Sequence, residues 1–426
     1  MRKTRVTLSK FRIRAYRSCK DTEFSITQNV MALVGPNGTG KTNVLHGIFL
    51  LGSQKRVTRL HSDSPSSECQ IEADFLFKRR TVKLRTTVIY RPTQQNRDEV
   101  AGVKEEWNFG ELDDKSRWLS TEELLIGRRG GNPRDSPYYF YLKNSRLVHV
   151  SADSRLVQLA KPVRQLSLSK EASSAFAAIQ QFRAGINYYS ASQFTNPSLC
   201  PTSFEIDEDE DLREEPIIRR QSAHTRFMYD LYRLSKTNKD AFQTFLSLVN
   251  RTGVGLIDKI KWETVEFSSP AYEVRAGGKV IKKTGTRRLI VPTVYIGPSK
   301  LSFNQLSEGT LRTLAMLFYV VTDKSELLLL EEPEVCVHHG LLTSVIEIIK
   351  EFARTKQIIF STHSEAVVDG LKPDQLLVAE KKSIKGTTIH PITETMSKTG
   401  YEALKKYLAT SGSLGEYWRH RGFEKA

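Results

Sequence analysis

The stretch Gly35–Thr42, GPNGTGKT, has the spacing G-x-x-x-x-G-K-[ST]. Chemistry on phosphate needs that pattern: glycines turn the backbone so that successive N–H groups face anionic oxygens, a lysine reaches the β- and γ-phosphates, and a hydroxyl is offered to magnesium. Here these are Gly35, Gly38 and Gly40, then Lys41 and Thr42. A second stretch, Leu327–Glu332, reads LLLLEE and continues into Pro333 and Glu334. Adjacent side chains on an extended strand point opposite ways, so Glu331 and Glu332 have different jobs: one faces a magnesium shell, the other an attacking water. Ser307, Glu308 and Gly309 precede the apolar run Leu314–Val321. A serine hydroxyl and free amides at a helix start make another anion site, which touches the same nucleotide or closes over one held by another copy. His363, within STHS at Ser361–Ser364, follows an apolar run and can bond to a γ-phosphate or to water.

These groups need elements to hold them. Val30–Val34 reads as a buried strand and Asn43 to about Leu51 as a helix whose positive end lies under the bound anion. Leu327–Leu330 reads as a central strand covered on both faces, and Lys356–Phe360 as another. The carboxyl ends of such strands are where open α/β sheets take ligands. Strands are expected at Val6–Ile13, Phe24–Ile26, Gln375–Ala379 and Thr387–Ile392, and a hairpin at Ile71–Phe77 and Thr81–Tyr90, joined by the basic Lys78–Arg80. Helices are expected at Leu341–Phe352 and Tyr401–Thr410. The fold class is α/β, with a mixed central sheet and helices.

Between the first and second halves of the site lies a long middle. Arg91–Asp153 has poor periodicity, with a basic loop at Arg128–Arg134 and aromatics at Tyr138–Tyr141. A helix at Ala172–Arg183 and a strand at Ile186–Ser190 follow. Glu205–Glu215 carries eight acidic residues and reads as a solvated loop. Thr225–Val249 is helical, broken at Lys236–Lys239, and Gly255–Val294 is strands and turns. Lys279, Lys282, Lys283, Arg287 and Arg288 form the densest basic run, suited to phosphate backbone. The division expected is an N-terminal lobe at 1–90, a helical and β insertion at 91–285, a C-terminal lobe at 286–395, and a tail at 396–426 whose EYWRHRGF, 416–423, packs back on the sheet.

A net charge of +16 on 426 residues, with 26% charged and 39% hydrophobic residues, describes a globular chain with a polyanionic partner, most simply DNA. No apolar run is long enough to span a bilayer and no signal peptide is evident, so a cytoplasmic location is expected. Cys19, Cys69, Cys200 and Cys336 are scattered and form no CxxC, so neither a zinc site nor a disulfide framework is expected. His338 and His339 have no third ligand spaced with them.

In this order the four signatures resemble those of ABC-type ATPases of the SMC/RecF/OLD group. GPNGTGKT is similar to their Walker A loop, QLSEGTLR (305–312) to the signature motif, LLLLEEPE to the Walker B strand with its catalytic glutamate, and STHS to the switch histidine. EEPEVCVHH (331–339) is similar to a stretch of compact OLD-like and RecF-like prokaryotic ATPases. The likeness covers roughly residues 5–55 and 290–395. It implies an ABC-type ATPase head, a P-loop NTPase fold with an insertion between the Walker A and signature motifs, using ATP and Mg2+. Gly35, Asn37, Gly38, Gly40, Lys41, Thr42 and Asn43 would hold the nucleotide, with Gln193 as the glutamine-loop residue. Thr42 and Glu331 would serve magnesium. Ser307 and Gly309 would contact the γ-phosphate of a nucleotide on the opposing subunit. Glu332 would polarise the attacking water, with Lys41 and His363 completing the catalytic set.

Two departures stand out. Glu331 occupies a position where many relatives have Asp, so magnesium would be reached through a differently placed carboxylate or water. Glu308 replaces the usual glycine of the signature, which argues against a transporter. The motifs lie too close for a long coiled coil, no CxxC offers a zinc hook, and too few residues follow His363 for a Toprim nuclease. What the resemblance implies is a homodimer or larger homo-oligomer that gates DNA or a separate effector, a nuclease or toxin, in anti-phage defence. A RecF-like repair ATPase and a non-hydrolysing nucleotide-bound scaffold are the alternatives.

Overall fold

A computed structural model describes residues 5–52, 59–60, 68–92, 97–112, 118–120, 139–143, 146–150, 169–207, 222–274, 280–335, 337–410 and 412–420. The chain divides into two compact units, one of 1–188, 324–331 and 353–426, the other of 189–323 and 332–352.

The first unit is built on a sheet that mixes parallel and antiparallel strands. Val30–Val34 lies between Gln357–Thr362 and Leu376–Lys382 and is parallel to both; Gln357–Thr362 is in turn parallel to Leu327–Glu331. All five residues of Val30–Val34 and all six of Gln357–Thr362 are buried, as the continuous apolar runs require of strands covered on both faces. Beyond Leu376–Lys382 the sheet turns antiparallel through Gly386–Pro391, Cys19–Ser25, Val6–Tyr16, Glu68–Phe77, Arg80–Pro92 and Arg97–Asn108. Val6–Tyr16 and Glu68–Phe77 alternate buried with less buried residues, the sign of a half-covered sheet. Inward aromatics of this part of the sheet pack with the helices Lys41–Gly52 and Lys170–Ala184, Phe75 of Glu68–Phe77 meeting Phe182 edge-on at 5.7 Å and Trp107 of Arg97–Asn108 meeting Phe176 at 4.9 Å.

Arg97–Asn108 falls in the region of poor periodicity, yet it pairs along Arg80–Pro92 as a full strand. Its signal is weak because few of its residues are apolar. Trp107 is its main inward anchor, and Glu105 meets the buried Arg183 in an ion pair of 2.5 Å. Arg183 also donates to the Leu51 carbonyl at 2.8 Å, which ties this strand and both helices together.

The described part of the tail packs on a helix, where packing on the sheet is expected, and residues 421–423 lie outside the described residues. Leu414–Arg419 lies against Glu365–Asp369, where Arg419 Nε donates to Glu365 at 2.7 Å and the Gly415 amide donates to Asp369 at 2.5 Å. The basic loop 128–134, the hairpin glycines 276–278, Lys279, Cys336 and most of the acidic run lie outside the described residues.

In the second unit, Val280–Ile296 runs between Lys259–Val274 on one side and Phe204–Asp207 and Ser299–Leu301 on the other. The helices are Ala223–Thr237, Lys239–Val249, Glu308–Thr322 and His339–Phe352. Asn238 ends the first and caps the second, its side chain accepting from the Ala241 amide at 3.1 Å; this is the break expected near Lys236–Lys239. Phe227, Phe245, Phe303, Phe318 and Tyr319 fill the core between them.

Candidate functional site

Register brings the first unit's motifs to one edge. Glu331 stands opposite Ser361 and Thr362 opposite Val34, so the phosphate loop after Val34, the carboxylate of Glu331 and the turn bearing His363 all leave the same carboxyl end of the parallel strands.

The loop's conformation follows from its glycines. Gly38 and Gly40 have φ of +80° and +98°, which side-chain-bearing residues rarely adopt. A Cβ on Gly40 would also collide with the hydroxyls of Thr387 and Ser18. Lys41 is buried and its ammonium donates to the carbonyls of Gly35 and Pro36 at 2.8 and 3.0 Å. The helix that begins at Lys41 has no acidic residue in its own first turn, so no carboxylate of this helix competes for its amide end. Asn37 and Gly38 are exposed at the loop's tip.

Thr42 Oγ1 donates to Glu331 Oε1 at 2.5 Å, and the Tyr188 phenol donates to the other oxygen of the same carboxylate. A hydroxyl and a carboxylate converging beside a phosphate loop form the oxygen-only donor set that magnesium takes, so these residues fit the metal. No motif points to Tyr188. It is the residue of the strand Asn187–Ser190, next to Leu327–Glu331 in the sheet, that reaches the carboxylate.

Behind the loop runs a chain of polar contacts. His46 packs on Tyr188 with ring centroids 4.9 Å apart, and its Nδ1 accepts from Arg17 at 3.0 Å. Arg17 also donates to Asn43 Oδ1 at 3.3 Å, while Asn43 Nδ2 donates to the Ser18 hydroxyl at 2.7 Å. Ser18 meets Thr387 at 2.8 Å, and Thr387 Oγ1 donates to the carbonyl of Thr39 at 2.8 Å, inside the loop. Burial, and then the Arg17 guanidinium, lower the His46 pKa from its ordinary value of 6.5; Glu331 acts weakly against them. His46 is therefore a neutral acceptor. Arg17, Ser18 and Thr387 come from the turn after Val6–Tyr16 and from Gly386–Pro391, far from any motif.

His363 is exposed at the end of Gln357–Thr362, and the next amide, of Ser364, donates to Thr362 Oγ1 at 3.0 Å. The helix Glu365–Asp369 that follows is the one braced by Arg419.

The remaining candidates belong to the second unit. Glu332 has φ of +44°, so the chain leaves the carboxylate strand through the left-handed region, an uncommon conformation for a residue with a side chain. Ser307 caps the helix Glu308–Thr322, its oxygen accepting from the Thr310 amide at 3.2 Å, and the Gly309 carbonyl accepts from Thr313 at 2.8 Å. Glu308, the departure from the usual signature, forms an ion pair with the buried Arg312 one turn on. Tyr189 stacks on Tyr319 of this helix at 4.1 Å. Gln193 is exposed on the short helix Ala191–Phe194.

The sequence profile of the AAA ATPase domain family matches residues 7–368. No curated protein matches the chain. Among solved structures it is similar to the SMC head domain from Thermotoga maritima, at 11% identity and a TM-score of 0.42, over 90% of this chain and 98% of that one. It is also similar to an Smc head domain with an extended coiled coil bound to the C-terminal domain of ScpA, derived from Pyrococcus furiosus, at 11% identity and a TM-score of 0.45, over 95% of this chain and 100% of that one.

Proposed function

Because the chain belongs to the family of AAA ATPase domains, we propose that it is a magnesium-dependent ATP hydrolase that assembles as at least a homodimer and couples ATP to the engagement of DNA or of a separate effector. The observation that carries this is the contact of the Thr42 hydroxyl with the Glu331 carboxylate at the carboxyl end of the parallel strands. Lys41, held on two loop carbonyls, turns its ammonium to the β- and γ-phosphates, and the loop amides and the helix end beneath them bind the same anion. Thr42 and Glu331 hold the metal. Magnesium, when bound, polarises the phosphoryl oxygens as a Lewis acid. Glu332 orients the attacking water and takes its proton, and His363 bonds to the γ-phosphate. Ser307 and Gly309 close on a nucleotide held by the opposing subunit, and Gln193 serves as the glutamine-loop residue.

The partner side of the proposal is a separate nuclease or toxin in cytoplasmic anti-phage defence, supported by the likeness of EEPEVCVHH to compact OLD-like ATPases. Among the described residues, no helix is long and apolar enough to cross a membrane.

The test is Glu332→Gln. Nucleotide affinity should stay within a few-fold of wild type, turnover should fall by at least about 100-fold as expected for loss of a general base, and dimers should accumulate with ATP. Wild-type turnover would remove Glu332 from its role. Pulled down from the native host in ATP and magnesium, this trapped variant should bring a stoichiometric nuclease or toxin. Recovery of itself and DNA alone would favour a RecF-like repair ATPase.

A further inference from the structure

The second unit's sheet has one covered face and one open face. Phe204, Ile206, Ile260, Ile290 and Val294 are buried on the first. On the other, Tyr295 of the central strand stands between Lys259 on one neighbouring strand and Lys300 on the other, both directly opposite it in register. Lys261, two residues along from Lys259, points the same way. The three ammonium groups lie 4.6, 6.0 and 5.5 Å from the Tyr295 ring centroid, for Lys259, Lys300 and Lys261. All three lysines are exposed while the ring is partly covered.

Three like charges around one ring repel one another, and neighbouring acids do little to relieve it. Among the described residues none of the three forms an ion pair. Asp258, next to Lys259, is committed to the Gly297 amide at 2.6 Å and to Arg251 at 2.6 Å. Glu263 lies further along the open face, and Glu205 is taken by Arg287. The ring offsets part of the repulsion through its negative face, and it holds the ammonium groups as an array.

We infer that this Tyr295–Lys259–Lys261–Lys300 face docks a nucleic acid through its phosphate backbone. Regularly spaced, permanently ionised phosphates complement three fixed cations on a chain of net charge +16. Because lysines already cover the tyrosine face, the ring is not a platform for stacking bases, and binding is independent of sequence. The patch differs from the run 279–288 that the sequence singled out. In that run Arg288 lies on the covered face, opposite Ile206, and Arg287 is paired with Glu205.

This deepens the DNA side of the proposed function, and basal ATP turnover keeps a failure here apart from a failure of the ATPase reading. The experiment is fluorescence anisotropy of the full chain with a labelled 30-base-pair duplex, across a salt series, for wild type and the triple variant Lys259→Gln, Lys261→Gln, Lys300→Gln. Affinity should fall at least about tenfold and the slope of log K against log salt should flatten by about 2 to 3, near 0.9 for each phosphate no longer neutralised. Duplexes of unrelated sequence should behave alike, and ATP turnover without DNA and the melting temperature should not change. Unchanged affinity and slope would overturn the inference. So would loss of binding to polyglutamate with DNA binding intact, which would assign the face to an acidic polypeptide.

Discussion

At the phosphate loop the ammonium of Lys41 is buried and donates to two carbonyls, and the carboxylate of Glu331 is bonded on both oxygens. On the Tyr295 face three ammonium groups stand in solvent with a ring for company. The two regions show two ways to keep charge ready for phosphate. In the first, internal partners hold each group until a ligand replaces them, so geometry decides what binds. In the second, attraction is Coulombic and exposed, so ionic strength decides how well anything binds.

The sharpest way to break the comparison is Lys41→Ala. ATP affinity, measured with a fluorescent analogue, should fall by at least about a hundredfold, as removal of two charge-assisted bonds of about 1.5 kcal/mol each would give. Duplex binding should not change. If both activities fell together, the two sites would not be separately built.

A smaller effect is expected for Tyr188→Phe. Removing the phenol takes a partner from Glu331 without touching the loop, so the magnesium concentration for half-maximal turnover should rise about tenfold, as for other groups that orient a metal ligand. An unchanged magnesium titration would make the contact incidental.

The smallest effect comes from His46. Its pKa is lowered in the folded chain, so below the ordinary value of 6.5 the unfolded state binds the extra proton more readily. The stability contributed by neutral His46 is present above pH 6.5 and is lost as pH falls through the lowered value. Melting temperature between pH 7.5 and 5.5 should drop less in His46→Gln than in wild type. Buried His224 shifts the same way and should preserve part of the drop.

Much of the site is legible in the sequence because phosphate chemistry uses contiguous residues: the loop, the strand ending in Glu331 and the strand ending before His363 can each be read locally. Tyr188, Arg17, Ser18 and Thr387 cannot. They join the site through sheet neighbours and turns, and Thr387 meets Ser18 because Gly386 pairs with Cys19. Arg97–Asn108 leaves little trace because a strand near the sheet's edge needs few apolar residues. The lysines around Tyr295 leave none, since they are spread over two strands and meet only across a third. A run of basic letters such as 279–288 is easier to see, and pairing then divides it between two faces.

The position of Val30–Val34 has a consequence for synthesis. Its hydrogen-bonded neighbours, Gln357–Thr362 and Leu376–Lys382, leave the ribosome about 320 residues or more after it. At about 5–20 residues per second, an all-apolar strand waits from a quarter of a minute to a minute for its first partner. Such long-range pairing is slow, and it exposes a strand edge to other chains in the meantime. A nascent chain released before Gln357 would carry the phosphate-loop sequence without either of the strands that flank Val30–Val34.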